Sequence, residues 1–170
     1  EVFESRYPWL TRSYELIQDS GGPGQYRGGL GIRRILEVVG PAEINVSAVF
    51  ERMKVHPWGL FGGGHGSNSA ILVKKKDDDR FRTFSEVYGT VSAAKFVNCV
   101  VQAGDLVLLE SPGGGGYGET GARDTEQVLD DVIQGFISER AAREVYKVAV
   151  KPRNGRYAID EQETKRLRAS

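Results

Sequence analysis

A single cysteine, Cys99, excludes a disulfide framework and a thiolate zinc site. It lies in the apolar run Phe96–Val101 with no base beside it, so it is a poor nucleophile candidate. The two histidines, His56 and His65, form no H-x3-H or H-E-x-x-H pattern and have no carboxylate at ligand spacing. No metal ligand set is expected on this chain. No serine stands in a G-x-S-x-G elbow, and the catalytic residues, if any, remain unassigned. Basic and acidic residues number 23 each, so the surplus of positive charge that nucleic acid or an anionic membrane attracts is missing. No apolar run approaches the roughly 18–20 residues of a spanning helix, and no signal-peptide pattern occurs. These absences predict a chain of the reducing cytoplasm, with no nucleic-acid or membrane partner. The opening Glu1-Val-Phe-Glu, without an initiator methionine, predicts a processed chain or a piece of a longer polypeptide.

Glycine is abundant instead. The 22 glycines are roughly twice the usual share of about 7%, and 16 of them gather in three stretches. These are Asp19-Ser-Gly-Gly-Pro-Gly-Gln-Tyr-Arg-Gly-Gly-Leu-Gly31, Trp58-Gly-Leu-Phe-Gly-Gly-Gly-His-Gly66 and Ser111-Pro-Gly-Gly-Gly-Gly-Tyr-Gly-Glu119. Clustering without a G-x-y period, between aliphatic segments, argues against collagen and simple disorder. Glycine has no side chain to bury and the largest backbone entropy to lose. Four in succession, Gly113 to Gly116, imply positive φ angles or close approach of another backbone or a ligand. Trp9, Tyr26, Trp58, Phe61 and Tyr117 lie near these stretches and read by default as buried rings covering bare main chain.

Around the glycines the apolar pattern is of the β type. Residues 43–50 alternate, with Ile44, Val46, Ala48 and Phe50 on one face. Residues 12–18, 70–73, 96–101 and 105–110 read as further strands. Residues 74–79 form a charged hairpin tip, with Phe81-Arg-Thr-Phe84 returning from it. The stretch 31–39 is too β-branched and short for a helix. After residue 119 the period changes. Asp124 caps a helix with Val128, Leu129, Val132 and Ile133 inward and Gly135 as its stop. Ser138 caps a second, with Ala141, Ala142, Val145 and Tyr146 inward, and Asp160 opens a third. The expected fold is a single α+β domain over 1–170. It is mainly β, with antiparallel or mixed strands linked by glycine-rich turns through residue 119, then a helical tail over 120–170.

Gly113, Gly115 and Gly118 match G-x-G-x-x-G, and Gly113 to Gly118 has P-loop spacing. Both readings fail chemically. Glu119 stands where a P-loop places its phosphate-neutralising lysine, and the first N-cap, Asp124, comes several residues too late to aim a helix at a pyrophosphate. The glycine stretches are therefore expected to serve structure, or contact with another chain or a ligand. The candidate substrate- or interface-binding residues are Gly62, Gly63, Gly64, His65, Gly113, Gly114, Gly115, Gly116 and Tyr117. His56, before a proline, reads as a positioned loop residue.

Taken together, these motifs resemble the C-terminal region of hydantoinase B-type proteins. The blocks are Pro57–Gly64, Ala103–Val107, Glu110–Gly118, Asp19–Gly31 and Ala141–Tyr146. That family includes the B-type subunits of ATP-dependent hydantoinase and 5-oxoprolinase, and the related acetone and acetophenone carboxylase subunits. The resemblance implies a role in a hetero-oligomer with the remainder of the B-type subunit and an A-type ATPase subunit. The A-type partner phosphorylates a cyclic amide or an enolised ketone, and the B-type chain helps carry the intermediate to hydrolysis or carboxylation. It also implies ATP and a divalent metal for the whole complex, both bound outside this chain. A non-enzymatic β module that binds partners through glycine loops is the alternative, and an independent nucleotide-binding protein is a third reading.

Overall fold

The computed structural model describes residues 2–41, 43–153 and 155–169. They fall into two compact units drawn from interleaved stretches of chain. The first comprises Glu1–Glu15, Ile32–Val55 and Asn68–Ser111; the second comprises Leu16–Gly31, His56–Ser67 and Pro112–Ser170.

The first unit opens with a short helix, α1 (Val2–Arg6), and is otherwise mainly β. Its strands are β1 (Trp9–Leu16), β2 (Ile32–Val38), β3 (Glu43–Val49), β4 (Ala70–Lys74), β5 (Arg82–Thr83), β6 (Lys95–Gln102) and β7 (Leu106–Glu110), with helix α2 (Phe84–Tyr88). One sheet has the order β1-β2-β7-β4-β5, and β3 pairs with β6 in a second. β7 pairs antiparallel with both β2 and β4, setting Val107 opposite Leu36 and Val73. Its continuous apolar run Leu106–Leu109 thus belongs to a central strand. Val38, Ile71, Val73 and Val107 of the large sheet meet Phe96, Cys99 and Val101 of β6 and Phe84 of α2 in one core. The Phe84 and Phe96 rings stack with centroids 4.2 Å apart.

The expected return strand over 81–84 stops early. Thr83 and Glu86 form a capping box: the Thr83 hydroxyl accepts from the Glu86 amide at 3.2 Å, and the Glu86 carboxylate accepts from the Thr83 amide at 2.7 Å. The chain therefore turns helical at Phe84. In the β6–β7 turn, Asp105 is buried, and its carboxylate accepts from the Lys75 ammonium and from the Lys76 and Gln102 amides. Three charge-assisted contacts offset the cost of burying that charge.

In the second unit, Asp124 accepts from the Glu126 and Gln127 amides and starts α3 (Thr125–Ile133); Ser138 accepts from Ala141 and starts α4 (Glu139–Glu144). Val128, Val132, Ile137, Ala142, Tyr146 and Val148 form the core here. Ile133 and Val145, expected inward, are exposed instead. Ile133 lies at the helix end before Gly135, whose φ of 73° turns the chain out of the helix. The tail is not purely helical. β8 (Val150–Arg153) and β9 (Arg156–Ile159) form a hairpin before α5 (Glu161–Arg168), which Asp160 caps.

Candidate functional site

The three glycine stretches, within the second unit but for Ser111, contain almost no regular structure. Their main-chain groups bind one another instead. Gly22 donates to Gly114 O at 2.8 Å, Gly64 to Pro23 O at 2.6 Å, and Leu60 to Gly116 O at 2.9 Å. In return Gly114 donates to Gly29 O, Gly116 to Gly64 O, Tyr117 to Tyr26 O and Gly118 to Leu60 O. The Gly113 amide reaches Ser67 Oγ at 3.1 Å. Segments distant in sequence are thereby tied into one backbone bundle.

None of Gly113 to Gly116 has a positive φ. They are glycine because other main chains occupy the space of a side chain. A Cβ on Gly113 would fall on the Ser20 carbonyl, one on Gly115 on the Trp58 carbonyl, and one on Gly116 on the Pro23 carbonyl. At Gly114 the nearest atom would be Gly29 N, 3.1 Å away. The logic is that of the collagen axis, where main chains pack too closely for any larger residue.

The bundle carries an aromatic rim. Phe61 is 74% exposed, Tyr26 60%, Trp58 58% and Tyr117 48%, so the expectation that these rings are buried core is corrected. Their covering role is played by main chain. The Tyr117 ring centroid lies 5.1 Å from that of Phe61 and 6.2 Å from that of Tyr26. Phe61 has a φ of 51°, an outlying conformation for a bulky residue, followed by Gly62 at 91°. The turn is closed by Gly63 N–H donating to Leu60 O at 3.0 Å, while Leu60 is held on both sides by Gly116 and Gly118. A left-handed phenylalanine costs about 1–2 kcal/mol. Backbone strain that presents a solvent-facing ring points to function at the ring. The Glu119 carboxylate lies over Gly62, where a Cβ would collide with it.

Behind the rim a buried ion cluster fixes the first stretch to α3. Asp131 receives Arg27 through Nε at 3.0 Å and Nη2 at 3.1 Å, and Arg123 through Nη2 at 2.8 Å. Arg123 also donates to Gln25 O, and its guanidinium lies 6.0 Å from the Tyr146 ring. Burial pushes the Tyr146 hydroxyl pKa up, against the opposing influence of Arg123. Sequence reasoning missed this cluster, since isolated charges on a β-rich chain read as solvated.

The structure brings the predicted candidates together. Gly63 and Gly64 lie against Gly116, and Tyr117 pairs with Tyr26 and Leu60. His65, exposed, stacks on His56 at 6.1 Å, and His56 Nδ1 lies 3.0 Å from Gly66 O. The missed members are Phe61, Trp58, Tyr26 and Glu119, whose signal was an aromatic or acid within or beside a glycine stretch.

The third glycine stretch does not form a phosphate cradle of the P-loop kind. Amides that would cradle phosphate, those of Gly113, Gly114, Gly116, Tyr117 and Gly118, already donate to protein acceptors. The α3 N-terminus is capped by Asp124, behind a 3-10 turn at Thr120–Ala122. Among the described residues no three His, Cys, Asp or Glu side chains group to hold a metal ion. Among them, too, no helix is long and apolar enough to cross a membrane.

The family model for hydantoinase B/oxoprolinase matches residues 1–120. The chain belongs to this family. An uncharacterized protein of Methanocaldococcus jannaschii is 35% identical over 99% of this chain and 28% of its own length. A putative D-/L-hydantoinase B-type chain of a Pseudomonas strain is 30% identical over 99% of this chain and 26% of its own. Among solved structures, the ATP-dependent caprolactamase from Pseudomonas jessenii superposes with a TM-score of 0.77 at 28% identity, covering 99% of this chain and 28% of that one. The chain thus spans little more than a quarter of the length of each of these three relatives.

Proposed function

We propose that this chain works as the C-terminal part, or a separately encoded tail, of a B-type subunit. The enzyme is an ATP-dependent amidohydrolase of the hydantoinase and 5-oxoprolinase kind, or one of its ketone-carboxylating relatives. Its partners are the remainder of the B-type subunit and an A-type ATPase subunit, in a cytoplasmic hetero-oligomer; ATP and a divalent metal bind on those partners. The chain is one domain in that assembly and is not catalytic alone. Gly62 to His65 and Gly113 to Tyr117 serve as a rigid bundle that holds the rim of Tyr26, Phe61 and Tyr117 against a partner surface or the substrate. The observation that carries this reading is Phe61, an exposed ring kept in a strained conformation by main-chain hydrogen bonds on both sides.

The test is Phe61→Gly. Glycine adopts the same φ without strain, so relief of about 1–2 kcal/mol offsets its larger unfolded-state entropy. The isolated variant is expected to melt within a few degrees of the parent. In the reconstituted complex it is expected to lose assembly, by native mass spectrometry, or turnover of a cyclic amide. Unchanged assembly and turnover would remove the rim from the function. The non-enzymatic module gains ground if a partner binds through the rim and no ATPase chain is among those recovered.

A further inference from the structure

We infer that the outer edge of β3, in the first unit, is a strand-addition site. Its occupant is an extended segment of the remaining B-type polypeptide with apolar side chains at alternate positions. The inference rests on the B-type role proposed above.

β3 pairs with β6 and with no other strand among the described residues. Phe50 N–H donates to Ala94 O at 2.8 Å, on the β6 side. Main-chain groups alternate in direction along a strand, so Ala48, Val46 and Ile44 also face β6. Glu43, Asn45, Ser47 and Val49 then turn their amides and carbonyls to the opposite edge. Since β6 is the one strand paired with β3 among the described residues, no strand accepts from those amides. The alternation stays regular because the bulge opposite Val46 and Ala48 lies in β6, where Asn98 has a φ of 54°. β3 therefore carries no bulge of its own, and Glu43-Ile-Asn-Val-Ser-Ala-Val49 holds no lysine or proline. An open edge without these guards is a template for another strand.

The surface beside that edge is apolar as well. A groove of about 370 Å³ is lined by Trp9, Leu36, Ile71 and Leu109 of the five-stranded sheet and by Val46 and Ala48 of β3. Trp9, Val46, Ala48 and Leu109 are only half-buried, because two strands face a sheet of five. A strand added to β3 would direct every second side chain into this groove and every other one to solvent. The relatives matched along this whole chain are more than three times as long, so in each of them about three-quarters of the polypeptide is available to supply it.

The test grafts this chain into the Pseudomonas jessenii caprolactamase chain in place of its matching span. Amide exchange of Asn45, Ser47 and Val49 is then read in the isolated chain and in the chimera. The expected result is an active chimera in which these amides exchange about 100-fold more slowly or less still than in the isolated chain. Asn45→Pro removes an amide from which no strand accepts, so it is expected to leave the isolated chain's Tm within a few degrees while abolishing the protection. An active chimera with fast exchange at all three positions overturns strand addition and leaves the B-type role standing. A folded but inactive chimera overturns the B-type role, and this inference with it. An isolated chain that is dimeric and already protected there makes a second copy the occupant, and overturns the assignment. If the chimera does not fold, this chain is added to the separately expressed remainder and the same amides decide.

Discussion

A methyl group at Gly115 would coincide with the Trp58 carbonyl, and one at Gly116 with the Pro23 carbonyl. These carbonyls belong to main chain, so relief requires moving whole segments of the bundle. Gly115→Ala and Gly116→Ala are expected to destabilise the chain by about 2–3 kcal/mol or more. Gly114→Ala, with an ordinary φ and the Gly29 amide nitrogen 3.1 Å away, needs its neighbour to give by only a few tenths of an ångström and is expected to cost clearly less than either, staying within about 1 kcal/mol of the parent. Urea unfolding of the single variants checks this, and equal effects at the three positions would remove close packing as the cause. The Arg27–Asp131–Arg123 cluster behaves differently. Asp131→Ala leaves two buried guanidinium groups facing each other and is expected to cost about 3–5 kcal/mol, read by the same titration. At this scale the sequence shows that glycine is required but not why. Gly113 and Gly114 are indistinguishable as letters, and only the segment packed against each separates them.

Elements held by local chemistry were readable; elements held by distant main chain were not. The alternation over 43–50 marks β3, and Asp124, Ser138 and Asp160 mark the three tail helices through their caps. Thr83-Phe-Ser-Glu86 carries the same capping-box signature, but the apolar pair Phe81 and Phe84 reads as a strand end and hides it. The β8–β9 hairpin is obscured in the sequence by Pro152, which argues against a strand interior, although the letters Asn-Gly at 154–155 are a sequence signal for a hairpin. The bundle leaves no side-chain period at all, because its hydrogen bonds join carbonyls and amides of glycine. Asp160 yields a pH prediction. Its pKa is lowered, first by the hydrogen bond to Lys151 and then by the Glu163 amide, so it binds its proton less readily folded than unfolded. Its stabilisation is present above the ordinary aspartate pKa of about 4 and is lost as pH falls through the lower folded value. Asp160→Ala is expected to lower Tm at pH 7, with the difference from the parent shrinking by about pH 3. A constant difference across that range would assign the effect to packing.

For the whole molecule, the question is what a glycine-rich loop of P-loop spacing does in a chain whose relatives include an ATP-dependent enzyme. Anion cradles work because successive amides point at the ligand with no acceptor of their own. Here the amides of Gly113, Gly114, Gly116, Tyr117 and Gly118 are already engaged by Ser67, Gly29, Gly64, Tyr26 and Leu60. Freeing them for phosphate would break the contacts that hold the bundle together. Glu119 adds a carboxylate at the position where a P-loop lysine would neutralise charge, and its side chain lies over Gly62. Two separate penalties therefore oppose nucleotide binding, one from lost main-chain hydrogen bonds and one from like charge. The isolated chain is expected to bind Mg–ATP no more tightly than about 1 mM, which corresponds to about 4 kcal/mol, and to hydrolyse neither ATP nor a lactam. Glu119→Lys removes only the charge penalty, so it is expected to leave affinity in the same range. Titration calorimetry decides between the two causes. Micromolar binding by the parent would overturn the reading of the loop as structural, and micromolar binding by Glu119→Lys alone would show that charge, rather than spent amides, keeps nucleotide away.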